Sequence, residues 1–133
     1  RYINTFDVNR NNYTSFTSDS IVIDMQYAGN TAFILDEEAG LIIADFSDQN
    51  NPQRISTIAL TDTPKGLYVD ADNKLVYITT LAGLDIVDIT NPANAKLIFS
   101  LEPRTGISTV FSPDDDHIAI GTNIYRKIVR KVP

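Results

Sequence analysis

The sequence contains no cysteine and no tryptophan, and it has one histidine and one methionine. Without thiols there is no disulfide framework, no thiolate metal site and no cysteine nucleophile, and the composition leaves the redox compartment open. The single histidine, His117, excludes a paired-histidine metal site within the chain and leaves one candidate for a histidine base. Long apolar runs are also missing. None approaches the roughly 20 residues of a membrane-spanning helix, so no membrane span is expected. There is no Gly-x-Ser-x-Gly elbow and no phosphate-cradling glycine loop. Basic residues are scarce over most of the length: residues 1–122 hold all seventeen acids but only seven of the eleven bases. Such a body repels phosphate backbones, and nucleic acid is not expected as a partner. The other four bases, Arg126, Lys127, Arg130 and Lys131, lie in residues 123–133 with no acid among them. Their strand-like spacing suits a solvated edge that discourages aggregation.

What is present is the composition of a globular domain: 133 residues, 43% hydrophobic and 21% charged. A chain of this size can bury roughly two thirds of the surface exposed when unfolded. It also repeats itself. Ala39-Gly40-Leu41-Ile42-Ile43-Ala44-Asp45-Phe46-Ser47 reappears 43 residues later as Ala82-Gly83-Leu84-Asp85-Ile86-Val87-Asp88-Ile89-Thr90. The same gap-free displacement pairs Ala28 with Ala71, Asn30 with Asn73, Asn51 with Asn94 and Ile55 with Ile98, and it carries residues 72–77 onto 115–120.

Within each unit the apolar pattern has the two-residue period of strands, interrupted by turn residues. Unit one predicts strands over 21–27, 31–36, 40–46 and 54–60. Unit two predicts them over 66–70, 74–79, 83–89 and 96–102, and unit three over 107–112, 117–121 and 125–132. Residues 1–6 resemble a fourth strand such as 54–58. A repeat near forty residues made of four short antiparallel strands is the pattern of a β-propeller blade. The expected fold is therefore all-β and propeller-type, one segment of three four-stranded blades at about 21–63, 64–106 and 107–133, with the strand at 1–6.

Gly-Leu-x-Ile-x-Asp-hydrophobic-Ser/Thr followed by an Asn- and Pro-containing loop, at 40–52 and again at 83–94, resembles the LVIVD repeat of bacterial propeller proteins. That resemblance implies an exported, cell-surface or periplasmic location and an architecture, but no particular reaction. Val110-Phe111-Ser112-Pro113-Asp114 resembles a hairpin turn found across many propellers, which names no function.

Rings close with four to eight blades, and three fall short. The chain opens on Arg1 rather than Met. It is expected either to belong to a longer propeller or to assemble with other copies, residues 1–6 of one pairing with 125–132 of another or of itself. The expected partner is thus protein.

Three acidic positions invite a functional reading. Asp36-Glu37-Glu38, placed between the second and third strands of unit one, offers hard oxygens to a cation or a basic partner, though without a calcium-loop frame. Asp114-Asp115-Asp116 falls where Asp and Asn serve as turn formers. Asp45 and Asp88, with Gly40 and Gly83 ahead of them, recur inside apolar strands, where carboxylates need partners, so they are expected to accept loop amides as structural residues. His117 corresponds to Thr31 and Lys74 and reads as a surface residue. No cofactor, metal site or catalytic residue is expected. The resulting reading is a non-catalytic binding or scaffold module mediating protein contact or assembly outside the cytoplasm. The alternative is a channel-centred, lactonase-like hydrolase using carboxylates and a divalent cation, for which the inner strands offer few acids, Asp24 and Asp70 among them.

Overall fold

The computed structural model describes residues 2–7, 12–101, 110–111, 117–120 and 123–126, with side chains described over 16–101. The described residues form antiparallel strands and one 3₁₀ turn. Strands β1 (Tyr2–Asp7) and β2 (Asn12–Thr17) form a hairpin. β3 (Val22–Ala28), β4 (Thr31–Asp36), β5 (Gly40–Asp45) and β6 (Gln53–Ile58) form a meander in sequential order. β7 (Pro64–Asp70), β8 (Leu75–Thr80), β9 (Leu84–Asp88) and β10 (Lys96–Leu101) repeat it, with the 3₁₀ turn Pro92–Asn94 between the last two. β11 (Val110–Phe111), β12 (His117–Ile120) and β13 (Asn123–Arg126) form a three-stranded sheet, with β11 running alongside β7 and β8.

The sheets stack face to face. Alternate residues of the first meander, Phe33, Leu35, Leu41, Ile43 and Ile58, pack against Leu67, Val76, Ile78, Val87 and Ile89 of the second. The opposite face of the first meander, Ala32, Ile34, Ile42, Ala44 and Phe46, closes over Phe16 of the hairpin. The far face of the second carries Leu75, Tyr77, Leu84 and Ile86. Strands β4 and β8 are covered on both sides, which is why 32–35 and 75–78 are continuously apolar rather than alternating. Packed four-stranded meanders of this kind are propeller blades.

Two expectations are corrected in detail. The gap-free displacement of 43 holds for the third and fourth strands, where Leu41 corresponds to Leu84 and Ile58 to Leu101. In the first strand Ala28 corresponds to Asp70, one residue less, and in the second Thr31 corresponds to Leu75, one residue more. The β3–β4 turn has only Gly29 and Asn30, whereas β7–β8 uses residues 71–74, and the β4–β5 turn gives one residue back. Sequence identity at Ala28/Ala71 and Asn30/Asn73 is therefore not structural equivalence.

The N-terminal strand is not a fourth strand. β1 pairs with β2 along its whole length, and β2 leads into β3 as β6 leads into β7. The hairpin thus occupies the third and fourth positions of a preceding blade. Phe16 plays the part of Ile58, each 8% exposed. Described pairing of β13 is with β12. The Asp114–Asp116 turn and residues 127–132 lie outside the described residues, as does most of 107–112.

Candidate functional site

The acidic cluster divides. Asp36, the last residue of β4, has no exposed surface, while Glu37 and Glu38 in the turn that follows are exposed. The Asp36 carboxylate accepts the Ser20 amide at 2.7 Å, the Ser20 hydroxyl at 2.7 Å, the Glu38 amide at 3.0 Å and the Ala39 amide at 2.8 Å. Burial pushes its pKa up, but the bonds from Ala39, Ser20 and Glu38 outweigh that and hold it at about 2. The Glu37 amide donates to the Ile21 carbonyl at 2.9 Å. Asp36 is thereby a clamp that ties the β4–β5 turn to the 18–21 linker. The three carboxylates are not presented as a set, and among the described residues no group of three acids or histidines converges as a metal donor set.

The second blade has the same clamp, made from a different strand. Asp85 of β9, also without exposed surface, accepts the Thr61 amide at 2.8 Å, the Thr61 hydroxyl at 2.8 Å and the Ser100 hydroxyl at 2.8 Å. It stands where the first blade has Ile42. The position of Asp36 is taken there by Thr80, whose hydroxyl accepts the Ala82 amide at 3.2 Å and the Gly83 amide at 3.1 Å. In both blades one linker residue donates its amide and its hydroxyl together to a buried carboxylate.

At the other end of each blade lie the recurring acids. Asp45 accepts the amide of Ser47 at 2.8 Å and its hydroxyl, and these bonds lower its pKa. Asp88 accepts the Thr90 amide at 2.8 Å. Each sits at the end of its third strand, opposite the first residue of the fourth, Gln53 or Lys96. Asn91 continues the pattern by accepting the Ala93 amide at 3.2 Å and capping the 3₁₀ turn. Gly40 has φ +98°, and a Cβ there would collide with the Ile58 carbonyl. Gly83 has φ 151°.

On the inner strands, Asp24 and Gln26 reach across to the next blade. Asp24 accepts the Leu67 amide at 3.2 Å as well as that of Met25 at 2.8 Å, and Gln26 accepts the Val69 amide at 2.7 Å. Asp70 accepts the amide and the side-chain amide of Asn73 at 3.3 and 2.9 Å. His117 opens β12 opposite Arg126.

A family model for the LVIVD repeat matches residues 21–59 and 68–102, more than half of the chain. The chain belongs to the LVIVD repeat family. The first matched span covers β3 to β6 and the second runs from within β7 through β10, so one LVIVD repeat corresponds to one four-stranded sheet. A comparison with curated proteins finds no match.

Sequence reasoning passed over Asp85, Gln26 and the linker residues Ser20 and Thr61. Asp85 left a signal, a carboxylate in the middle of an LVIVD strand where the other repeat has isoleucine. Ser20 and Thr61 left none, because a hydroxyl in a polar linker looks like solvated loop.

Proposed function

We propose that this LVIVD-repeat propeller module is a non-catalytic binding or scaffold element that works outside the cytoplasm, and that its partner is protein: the outer strand and loop of a further blade. The carrying observation is the contrast between β6 and β10. On β6, Ile58 is buried in the blade interface, Ile55 packs beside it, and the Ser56 hydroxyl donates to the Pro92 carbonyl at 2.7 Å. The neighbour's 3₁₀ turn covers that strand. The corresponding residues of β10 are Ile98, Phe99 and Leu101, with 48, 46 and 36% of their surface exposed. Among the described residues β10, like β6, is the edge of its sheet and pairs only with the strand before it, so the two differ in the cover over their side chains. An apolar edge strand of this kind is a template for another chain segment.

The inner-strand acids favour this reading over a channel-centred hydrolase. A catalytic cation would draw on Asp24 and Asp70, and both carboxylates are engaged with backbone amides. Placement at the cell surface, outside the cell or in the periplasm rests on the family resemblance.

Sedimentation of the purified chain tests the proposal. Self-association that is weakened by Phe99→Lys supports it, as does restoration of solubility by that substitution in a chain that aggregates. A folded monomer at high concentration, indifferent to Phe99→Lys, overturns it. Cation-dependent lactone hydrolysis lost with Asp24→Asn would decide for the hydrolase.

A further inference from the structure

A cleft of about 300 Å³ opens at the end of the first blade where β3 turns into β4 and β5 leaves for β6. It is lined by Tyr27, Gly29, Asn30, Phe46 and Gln49. Its origin lies in the short hairpin turn. Gly29 and Asn30 alone connect β3 to β4, where the second blade uses four residues, and a Cβ on Gly29 would meet nothing within 4 Å. Tyr27 corresponds to Val69, Phe46 to Ile89 and Gln49 to Pro92, so the second blade lacks both the ring and the carboxamide.

The walls are braced by packing. Buried Phe46 braces Tyr27 edge-on, with ring centroids 5.7 Å apart and planes at 83°, and Phe16 supports Phe46 from behind at 5.8 Å. The Phe46 amide donates to the Asn30 carbonyl at 2.8 Å and ties the loop to the turn. Tyr27 nonetheless keeps 46% of its surface exposed. An exposed aromatic held in place by a buried one has paid its ordering cost before any ligand arrives.

We propose that this cleft, an exposed tyrosine ring flanked by the carboxamide residues Asn30 and Gln49, binds a neutral saccharide ring. The C–H face of a pyranose packs on an aromatic face, and its hydroxyls, each donor and acceptor, match carboxamides, which are also both. Among the described residues no charged side chain lines the cleft, which leaves them without a counter-charge for an anion or a carboxylate for an ammonium group. The volume stands at the small end of ligand pockets and suits one ring. The inference does not rest on the proposed protein contact, since the cleft and β10 lie on different blades.

The test is a nuclear magnetic resonance titration of the whole chain with methyl glycosides of glucose, galactose, mannose and N-acetylglucosamine, and with dextran and laminarin as polymers. Sodium phosphate and tetramethylammonium chloride are the charged controls. Comparison with Tyr27→Phe assigns the Tyr27 ring signals. We expect at least one glycoside or polymer to shift the residues of the 27–30 turn saturably. Tyr27→Val, which installs the residue of the second blade, weakens that binding by about tenfold or more, a change of ~1.4 kcal/mol. Tyr27→Phe retains it to within a few-fold, and Gln49→Ala, in an exposed loop, weakens it. Binding of a glycoside alone assigns a free sugar or chain end, whereas tighter binding of a polymer assigns a surface glycan. Absence of any saturable shift with all six carbohydrates, unaltered binding by folded Tyr27→Val, or saturation by phosphate or tetramethylammonium in their place overturns the proposal.

Discussion

Replacing Asp36 with asparagine keeps its shape and removes its charge, and the structure sets the size of the effect. In the folded chain the carboxyl titrates at about 2 against an ordinary value of 3.8. A folded-state pKa below the unfolded one means that the stabilisation is fully present above pH 3.8 and is lost as pH falls through about 2. The difference corresponds to about 2 kcal/mol of folding stability at neutral pH. Asparagine keeps one acceptor oxygen but turns an NH₂ toward either the Ser20 amide or the Glu38 and Ala39 amides, leaving donors facing donors. A buried polar group stripped of its partner costs about 1–3 kcal/mol, the same range reached by a different route. Urea unfolding followed by circular dichroism should therefore show Asp36→Asn less stable by about 2 kcal/mol at pH 7 and the gap closing toward pH 2. Other carboxylates contribute to acid sensitivity in both proteins, so the informative quantity is the difference between the two curves. A gap that stays constant between pH 6 and pH 2, or no gap at pH 7, would refute the clamp.

Gly40→Ala forces a methyl group against the Ile58 carbonyl at φ +98°, and the melting temperature should fall as for a loss of about 3 kcal/mol or more, combining steric and backbone strain. Asp85→Ala strands the Thr61 amide and should cost about 1–3 kcal/mol in denaturant titrations, whereas the double replacement Asp85→Ile with Thr61→Val should recover part of the loss. Calorimetric titration with Ca²⁺ should give no one-to-one binding at micromolar affinity, because Asp36 is committed inward. Such binding, abolished by Glu37→Gln with Glu38→Gln, would contradict that.

The blade repeat was legible because its signals are local and periodic. Leu41, Ile43, Leu84 and Ile86 alternate as strand residues should, and all four are buried. The Asp45 and Asp88 positions were legible for a related reason, since an acid at the end of an apolar strand has few partners other than the following loop. The hairpin β1–β2 was not, because Asn12-Tyr13-Thr14-Ser15-Phe16-Thr17 carries little apolar signal and follows an Asn-rich stretch. One clue was available: Phe6-Asp7-Val8-Asn9 echoes Ala44-Asp45-Phe46-Ser47, and Asp7 ends β1 opposite Asn12 as Asp45 ends β5 opposite Gln53. The clamps escaped because their partners, Ser20 with Asp36 and Thr61 with Asp85, are joined by tertiary packing that no spacing rule encodes. Asp36-Glu37-Glu38 looked like one acidic surface, yet strand pairing turns the first residue inward and leaves the other two in solvent.

The side chains of β3 that bond the amides of β7 bear on how the blades come apart. Repeat arrays behave as chains of units with intrinsic stabilities and nearest-neighbour coupling. Here the coupling includes polar completion as well as apolar burial: once β3 is gone, the Leu67 and Val69 amides lose the acceptors supplied by Asp24 and Gln26. Loss of the first blade thus carries a penalty into the innermost strand of the second. Under a stretching force applied through the amino terminus, the two meanders would yield in a single rupture rather than one after the other.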